Sequence, residues 1–329
     1  MFKTALKFLG AAAIIYWMYD SGKLDFTLVK KAFSSGSIAY LGVVLIITQA
    51  ALSSVRWKWL LDLKASKPIK PFAALNLTWI GLLFNTVLPG AVSGDLLKLV
   101  YAKDLDKNFD RSFLFSSVLI DRILGLIGLL FLMGLFTIFD YKEMVAISPQ
   151  MKGLISFNFI LFLGSIVFIT LLFLPKKIRE PILQILNKIP AIGPKVANVM
   201  EQVWHIGKSK KTTIKCLLFS MLLQFSNIMA FWLLTKGFYG KDLSLTQAFT
   251  FIPIGLIAVA VPISPSGAGV GHLIFNELFS YAGISNGASL FNIFFVVVVF
   301  NNLLGVIPFL FFGKQHNLKE AEEFEHGTN

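Results

Sequence analysis

Long runs of apolar residues constrain this chain more than any other feature of its sequence. An α-helix needs about 20 consecutive apolar residues to cross the hydrocarbon core of a bilayer. Four runs meet this length, at residues 114–139, 154–174, 213–235 and 288–312. Two shorter runs, 5–19 and 37–55, are also interpreted as spans, because the first lacks a convincing signal-peptidase site. The sequence therefore predicts an all-α polytopic membrane protein with about six transmembrane helices.

The composition agrees with a membrane protein and narrows the function classes. Only 15% of the 329 residues are charged, against roughly 25% in an average soluble domain. A net charge of +12 would suggest nucleic acid in a soluble protein, but in a membrane protein excess Lys and Arg record loop orientation. No nucleic-acid partner is therefore expected. The single cysteine, Cys216, allows neither an internal disulfide nor a thiolate metal cluster.

Two further apolar stretches are interrupted by Pro and Gly and do not fit a simple span. Residues 72–88 run into the sequence LPGAVSGD, and residues 245–261 run into PISPSGAGVGH. Only a short apolar piece follows each break, at 96–102 and 273–282. Backbone that leaves helical geometry at membrane depth must be buried in protein or line a wet cavity. Each pair is therefore predicted to form a re-entrant hairpin.

Basic residues set the predicted orientation, because Lys and Arg concentrate on the cytoplasmic side of a membrane. With six spans and two re-entrant hairpins, most of the lysines and arginines fall inside. If residues 72–88 crossed fully, the chain after them would invert and most basic residues would lie outside. The charge pattern thus predicts two cytoplasmic termini, a first hairpin that enters from the cytoplasm and a second that enters from outside.

The order of these elements predicts two membrane halves of opposite orientation. Residues 1–139 hold two spans, the cytoplasmic hairpin 72–102 and a third span, and residues 140–313 repeat this order with the external hairpin 245–282. Inverted repeats with interrupted segments at equivalent places are typical of transporters that bind substrate at the repeat interface. This repeat is inferred from hydropathy and charge, not from residue identity. Residues 314–329 form a polar cytoplasmic tail.

The segment 175–212 is the only long polar stretch of the chain. It combines many lysines with apolar residues at helical spacing. This pattern predicts short interfacial helices on an anionic cytoplasmic leaflet, not a separate domain.

The first hairpin carries residue types that suit an anion. Ser93 can cap a helix that begins at Gly94 and Asp95, and the free N–H groups and positive dipole end of such a helix attract phosphate. Lys98 lies on the same helical face as Asp95 and adds a positive charge. The alternative is that Asp95 only complements its own helix dipole while Lys98 reaches the membrane interface.

The second hairpin has the same kind of helix N-terminus. Ser264 and Pro265 have the form of a helix N-cap and first helical residue, and Ser266, Gly267 and Gly269 permit close approach of the backbone. Glycine-rich packing between helices is the competing explanation. The equivalent positions of the two breaks in opposed halves favour a functional role.

Two charged residues, Asp121 and Arg122, lie inside the span 114–139, where an unpaired charge costs at least about 2.5 kcal/mol. Neighbouring residues on a helix point about 100° apart, so each needs a partner elsewhere, such as Asp95, Lys98 or a ligand phosphate. A structural ion-pair network is an equally open alternative.

Five further polar residues are expected at membrane depth, where each could contact substrate but more often serves packing or hydrogen bonding: Asn85, His272, Glu277, Asn301 and Asn302. His272 and His205 lack companion ligands, so neither a metal nor another cofactor is expected. The chain contains no P-loop, nucleophile elbow or HExxH motif. An enzyme is therefore less expected than a transporter.

Several motifs together resemble the transmembrane family of lysylphosphatidylglycerol synthases and flippases. They are Arg56 with Trp57, the run NTVLPGAVSGDLLK from Asn85, Asp121 with Arg122, and the run PISPSGAGVG that ends at Gly271. The resemblance covers roughly residues 39–313 and implies lipid translocation. It further implies a stand-alone form without the aminoacyl-transferase domain that is fused to other members.

The resemblance also implies which residues form the site. The residues that match the family's two loops and its charged span are Asn85, Pro89, Gly94, Asp95, Asp121, Arg122, Pro262, Pro265, Gly267 and Gly269. Two residues depart from the family pattern. Lys98 stands where arginine is common, which weakens bidentate recognition of a phosphate. His272 stands where glutamate is common, and an imidazole could titrate near neutral pH in its place.

These observations predict a flippase-like transporter in a bacterial or archaeal cytoplasmic membrane. Its cargo would be an anionic lipid of the phospholipid, aminoacyl-phospholipid or polyprenyl-phosphate type, and a lipid-modifying synthase or glycosyltransferase is a further candidate partner. The alternative is an accessory subunit or a membrane-embedded enzyme of a lipid-linked glycan or aminoacyl-lipid pathway. Such an enzyme would use Asp95 and Asp121 as acid and base groups.

Overall fold

The computed structural model of this protein describes residues 16, 20, 26–34, 36–87, 93–139, 141–147, 149–190, 193–238, 243–260, 267 and 269–312. These residues form helices and no strand, which confirms the all-α fold class. The helices in chain order are α1 (Phe26–Ser34), α2 (Ile38–Leu61), α3 (Pro71–Val87), α4 (Ser93–Lys103), α5 (Arg111–Phe139), α6 (Tyr141–Ile147), α7 (Pro149–Leu172), α8 (Lys176–Asn187), α9 (Gly193–Gly207), α10 (Lys210–Thr235), α11 (Leu245–Val259), α12 (Val270–Tyr281), α13 (Gly287–Leu303) and α14 (Val306–Phe312).

Five helical segments are long and apolar enough to cross a membrane. They are Ile38–Leu61, Arg111–Phe139, Met151–Leu172, Lys210–Phe238 and Gly287–Phe311. Each corresponds to a predicted span, and the remaining predicted span, 5–19, lies outside the described residues except for Tyr16. The first segment runs past residue 55, where the apolar run ends, because the charge of Arg56 is paired inside the protein. The last segment is divided at Leu304 and Gly305 into α13 and α14.

Helices α3 and α4 form a closely packed pair. The Oδ1 of Asn85, near the end of α3, accepts a hydrogen bond of 2.9 Å from the backbone N–H of Gly94. A Cβ atom on Gly94 would lie only 2.1 Å from the carbonyl oxygen of Gly81. The two backbones are therefore in direct contact, which only glycine at position 94 allows.

The two outer ends of this pair lie at one end of the molecule. The loop before α3 contacts the loop after α4, because both the hydroxyl and the backbone N–H of Ser66 donate to the carboxylate of Asp106, at 2.5 and 2.8 Å. Lys64 and Asp110 form an ion pair between the same loops. The chain therefore enters and leaves the α3–α4 pair on the same side, as a hairpin does.

Helices α11 and α12 form the second pair. A capping box opens α11, since Ser244 accepts from the backbone of Gln247 and the Gln247 side chain accepts from the backbone of Ser244. A Cβ on Gly255 would lie 2.3 Å from the ring of Phe275, so the pair again closes over a glycine. Stacked rings of Phe275, Phe231 and Phe291 continue this contact into the largest hydrophobic core.

The segment 175–212, which was predicted to be interfacial, contains α8 and α9. No residue of α8 is buried. The indole Nε1 of Trp204, on α9, donates to the carbonyl of Leu171 at 2.8 Å, and Arg179 of α8 donates to the carbonyl of Leu174 at 2.5 Å. Both helices are thereby attached to the end of α7. The short helices α1 and α6 have no counterpart in the apolar pattern, because seven to nine residues are too few to show a periodic signal.

Three short sequence similarities between the first and second parts of the chain accompany these contacts, with different spacing in each part. Ile80-Gly81-Leu82-Leu83 corresponds to Ile254-Gly255-Leu256-Ile257, and Gly94-Asp95-Leu96-Leu97 corresponds to Gly271-His272-Leu273-Ile274. The run from Asp121 to Ile127 corresponds in the same order to the run from Asn301 to Ile307.

The packing agrees with this alignment. Gly81 faces Lys98, which lies four residues after Gly94, and Gly255 faces Phe275, which lies four residues after Gly271. The two helix pairs thus share a contact at equivalent positions. The charges differ, because the places of Asp121 and Arg122 are taken by neutral amides in the second half.

Candidate functional site

Five charged residues on three helices form the candidate site, which we call the charge cluster. They are Arg56 on α2, Asp95 and Lys98 on α4, and Asp121 and Arg122 on α5. Arg56 pairs with Asp121, Arg122 pairs with Asp95, and Lys98 follows Asp95 by three residues on α4. Sequence reasoning had named four of them as site residues.

Arg56 and Asp121 form the buried part of the cluster. Arg56 Nε lies 2.7 Å from Asp121 Oδ1, and Arg56 Nη2 lies 3.0 Å from Oδ2. The third nitrogen, Nη1, donates to the hydroxyl of Ser220 on α10 at 2.7 Å. Gly125 makes room for the guanidinium, since a Cβ there would lie 3.4 Å from Nη1. The planar fork of arginine matches a carboxylate in this way, and the pair joins α2, α5 and α10.

Lys98 is buried above an aromatic ring. Its ammonium nitrogen lies 3.6 Å from the ring centre of Trp57, and its side chain is 6% exposed. Trp57 is fully buried, and its Nε1 donates to the hydroxyl of Ser117 at 3.1 Å. Among the described residues, no carboxylate oxygen lies within salt-bridge distance of this ammonium. Lys98 therefore does not snorkel to the interface, and the cation–π contact is its stabilising partner.

Arg122 forms the open part of the cluster. Its Nε donates to Asp95 Oδ2 at 2.5 Å, so the protein supplies the compensating anion that the sequence required. The Arg122 side chain is 43% exposed, whereas that of Asp95 is 14% exposed. Arg122 is thus the cation of this cluster that an external ligand can reach.

The cluster carries more positive than negative charge. Arg56, Lys98 and Arg122 are cations, and Asp95 and Asp121 supply only two carboxylates. Taking an excess charge out of water is costly unless a counter-ion is supplied. A single anionic group beside Arg122 would balance the cluster.

The N-terminus of α4 was predicted to bind an anion, but one of its backbone N–H groups is already hydrogen-bonded within the protein. Asn85 accepts the N–H of Gly94, which is one of the free donors at the start of α4. The side chain of Ser93 lies outside the described part, as do Pro89 and Gly90. Asn85 therefore serves as a local cap in this structure.

The second hairpin is described only in part, since Pro262, Ser264, Pro265 and Ser266 lie outside the described residues. Gly267 and Gly269 have φ angles of +76° and +85°, a conformation that favours glycine. A Cβ on Gly267 would also lie 2.3 Å from Val259. Both glycines thus have a backbone reason to be present.

His272 and Glu277 do not join the charge cluster. His272 Nδ1 accepts from the N–H of Gly269 at 3.3 Å, and Nε2 lies 3.4 Å from Oδ1 of Asn292. Glu277 is exposed and interacts with the hydroxyl of Tyr281. Both residues have local roles within α12 and its contact with α13.

Sequence reasoning did not place Arg56 in the site, although Arg56 belonged to the family motif. The signal for its role was present, because Arg56 is a cation that directly continues an apolar run. Its partner could not be read from the sequence, because the partner lies 65 residues away on another helix.

Comparison with known proteins identifies the family. A family model described as the lysylphosphatidylglycerol synthase TM region matches residues 4–311. No curated protein and no solved structure matches the chain. The match and the five long apolar helices together make this an integral membrane protein. Because the matched region covers most of the chain, the protein belongs to the lysylphosphatidylglycerol synthase TM region family, which implies a lipid-related function in the membrane.

Proposed function

We propose that this protein is a flippase-like transporter that moves an anionic lipid between the leaflets of a bacterial or archaeal cytoplasmic membrane. The observation that carries the proposal is the charge cluster, which has one more cation than carboxylates and exposes Arg122. A lipid phosphate is the anion that membership of a lipid-related family favours.

The geometry of Arg122 suits reversible binding of a phosphate. A guanidinium presents several N–H donors that match phosphate oxygens, and Asp95 fixes its position from one side. Because Asp95 already holds Arg122, the phosphate must compete with an internal carboxylate and is not bound too tightly to leave. Release after each transfer is a requirement of any transporter.

The state of the two carboxylates favours transport over acid–base catalysis. Both oxygens of Asp121 accept from Arg56, and Asp95 accepts from Arg122. A catalytic acid or base must exchange a proton with its substrate. Carboxylates held by guanidinium groups are better suited to position cations.

The architecture supports a path for the lipid between the two halves of the protein. Contact between the loops at both ends of the α3–α4 pair supports a re-entrant hairpin over residues 72–102. The short sequence similarities with the second half support an inverted repeat, in which residues 1–139 and 140–313 face opposite sides and both termini lie in the cytoplasm. In this arrangement the second hairpin, with Ser264, Ser266, Gly267 and Gly269, would meet the lipid from the opposite side.

Transport by reconstituted protein tests the proposal. Vesicles that contain fluorescent phosphatidylglycerol are treated with a membrane-impermeant quencher, and the fraction of lipid protected from the quencher is followed with time. The wild type should equilibrate the two leaflets, and Arg122→Gln should slow this at least about tenfold, the effect of losing one charged contact. Lys103→Gln, which removes an exposed lysine at the end of α4, is the matched control and should transport normally. Failure of the wild type to move phosphatidylglycerol, aminoacyl-phosphatidylglycerol and polyprenyl phosphate alike would disprove the proposal.

A further inference from the structure

A cleft of about 240 Å³, lined by none of the five residues of the charge cluster, lies between the two halves. Its walls come from α2 and α3 of the first half and from α10, α11 and α13 of the second. The polar side chains that line it are Gln49, Asn227, Asn301 and Asn302, and all four are uncharged amides. The remaining lining residues are apolar.

A directional chain of hydrogen bonds begins at this cleft. Asn301 Nδ2 donates to Asn302 Oδ1 at 3.2 Å, and Asn302 Nδ2 donates to the hydroxyl of Thr86 at 2.9 Å. Thr86 in turn donates to the carbonyl of Leu82 at 3.0 Å. In this arrangement each donor of the series points away from Asn301.

This series of hydrogen bonds leaves one acceptor, Asn301 Oδ1, without a donor. Asn301 is 6% exposed, and its Oδ1 is buried without a hydrogen-bond partner. An unpaired buried acceptor is destabilising, and proteins rarely keep one without a reason. Because Asn301 also lines the cleft, a ligand there that supplies a donor would satisfy its Oδ1 once the amide turns toward the ligand.

The residues that line the cleft favour some ligand groups over others. A phosphate offers acceptors and would find no cation among the lining residues. An ammonium group is a donor, but it would lose its hydration without meeting a carboxylate. Hydroxyl groups donate and accept without charge, and amide side chains complement them in both roles.

We propose that the cleft binds an uncharged, hydroxyl-bearing headgroup unit, such as a glycerol or a sugar, which donates a hydroxyl hydrogen to Asn301 Oδ1. The cavity is smaller than the ~300–1,000 Å³ of sites for drug-sized ligands, so it holds one small unit. The inference deepens the proposed function, on which its lipid carrier rests. The phosphate of the lipid would meet the charge cluster and its hydroxyls would meet the amides at the equivalent positions of the second half.

Binding of a phosphate-free lipid tests this inference separately from transport. The probe is a monoglucosyl diacylglycerol, titrated into the purified full chain and measured by native mass spectrometry. Asn301→Leu should weaken binding of this lipid about tenfold, the effect of one hydrogen bond to a buried acceptor. Asn158→Leu is the matched control, because Asn158 on α7 is also buried with an unpaired Oδ1 but does not line the cleft. That variant should bind like the wild type.

Chemical variants of the lipid sharpen the result. The O-permethylated probe cannot donate, so its binding to the wild type should be as weak as that of the parent lipid to Asn301→Leu. Equal binding of both lipids to the wild type, unchanged binding by Asn301→Leu, or tighter binding of a diacyl lipid that carries an ammonium group would each overturn the proposal. If Asn301→Leu does not fold, the same binding measurement is made on Gln49→Leu, which changes the amide that lines the cleft from α2.

The two proposals fail in different ways. Binding of the glucosyl lipid by a protein that moves no anionic lipid would reject the proposed transport and leave the amide site standing. Transport of phosphatidylglycerol that depends on Arg122, combined with no binding of the glucosyl lipid, would reject only the amide site.

Discussion

The guanidinium of Arg56 holds both carboxylate oxygens of Asp121, with hydrogen bonds of 2.7 and 3.0 Å. The two side chains are 7% and 16% exposed. Removal of one partner of a buried pair costs about 3–5 kcal/mol, because the other charge remains unpaired. Arg56→Met or Asp121→Leu should therefore lower the melting temperature of the detergent-solubilised protein strongly.

A double variant distinguishes the stability that the ion pair contributes from the stability that neighbouring contacts contribute. Because an apolar pair of similar volume is often as stable as a buried ion pair, Arg56→Met combined with Asp121→Leu should recover most of the lost melting temperature. No recovery would show that Ser220, the second partner of Arg56, carries the stabilisation.

The Arg122–Asp95 pair should behave differently. Since the Arg122 side chain is 43% exposed, against 7% for Arg56, breaking its ion pair should cost less than breaking the Arg56–Asp121 pair. Arg122→Gln should keep a near-normal melting temperature while it loses transport, and Arg122→Gln combined with Asp95→Asn should not restore transport. A strong loss of stability in Arg122→Gln, with rescue by the double variant, would instead assign the pair a structural role. Melting temperature and leaflet exchange are measured on the wild type, on Arg122→Gln, on Asp95→Asn and on the double variant.

Because the backbones of α3 and α4 are in close contact at Gly94, a methyl group at this position should lower the free energy of unfolding strongly. Gly94→Ala would place its Cβ 2.1 Å from the carbonyl oxygen of Gly81, so the helices must separate. A loss of about 1–3 kcal/mol or more is expected. Gly81→Ala should cost less, because its Cβ meets the flexible Lys98 side chain at 3.3 Å.

Gly153→Ala on α7 is the control for both glycine variants. Nothing lies within 4 Å of a Cβ at that position. This change should be neutral or stabilise the protein slightly, since alanine favours a helix over glycine by about 1 kcal/mol. Melting temperatures of the three variants compare the effects, and equal values for Gly94→Ala and Gly153→Ala would contradict the observed packing.

The loop after α4 should respond to acid through Asp106. The hydroxyl of Ser66, and then the backbone N–H groups of Asn108 and Ser66, hold the pKa of this carboxyl below its usual value. Because the folded pKa is depressed, the stabilisation is present above the unfolded pKa of about 3.9 and is lost as the pH falls through the folded value. Asp106→Asn should melt below the wild type at neutral pH, and the difference should disappear in acid. A difference that persists below that range would exclude this titration.

The side of the membrane on which each loop lies can be measured by cysteine labelling. Single cysteines at Lys64 and Lys107, in the two contacting loops, should be shielded from an impermeant thiol reagent in intact cells, and cysteines at Lys31 and Lys152 should react. Cys216 must first be replaced by alanine, which should be tolerated because it is a small buried side chain. External labelling at Lys107 with shielding at Lys64 would mean that residues 72–88 cross the membrane fully.

Much of the fold was present in the local pattern of the sequence. Apolar runs predicted the spans because length and hydropathy are properties of contiguous residues, and Pro and Gly marked the breaks in both hairpins. The family motifs also pointed to Asp95, Asp121 and Arg122. The positions of α1 and α6 could not be predicted in this way, because such short helices are stabilised by their tertiary contacts.

The sequence by itself determined that this chain lives in a membrane, where its helices run and which charges they must accommodate. Only the tertiary structure decided that Arg56 is the partner of Asp121, that Lys98 rests on Trp57, and that Asn301 keeps an unsatisfied acceptor beside a cleft. Hydropathy is set by neighbouring residues, whereas the partner of a buried charge is set by which helix faces pack together. These faces bring together residues that are far apart in the chain, and no local pattern records that choice.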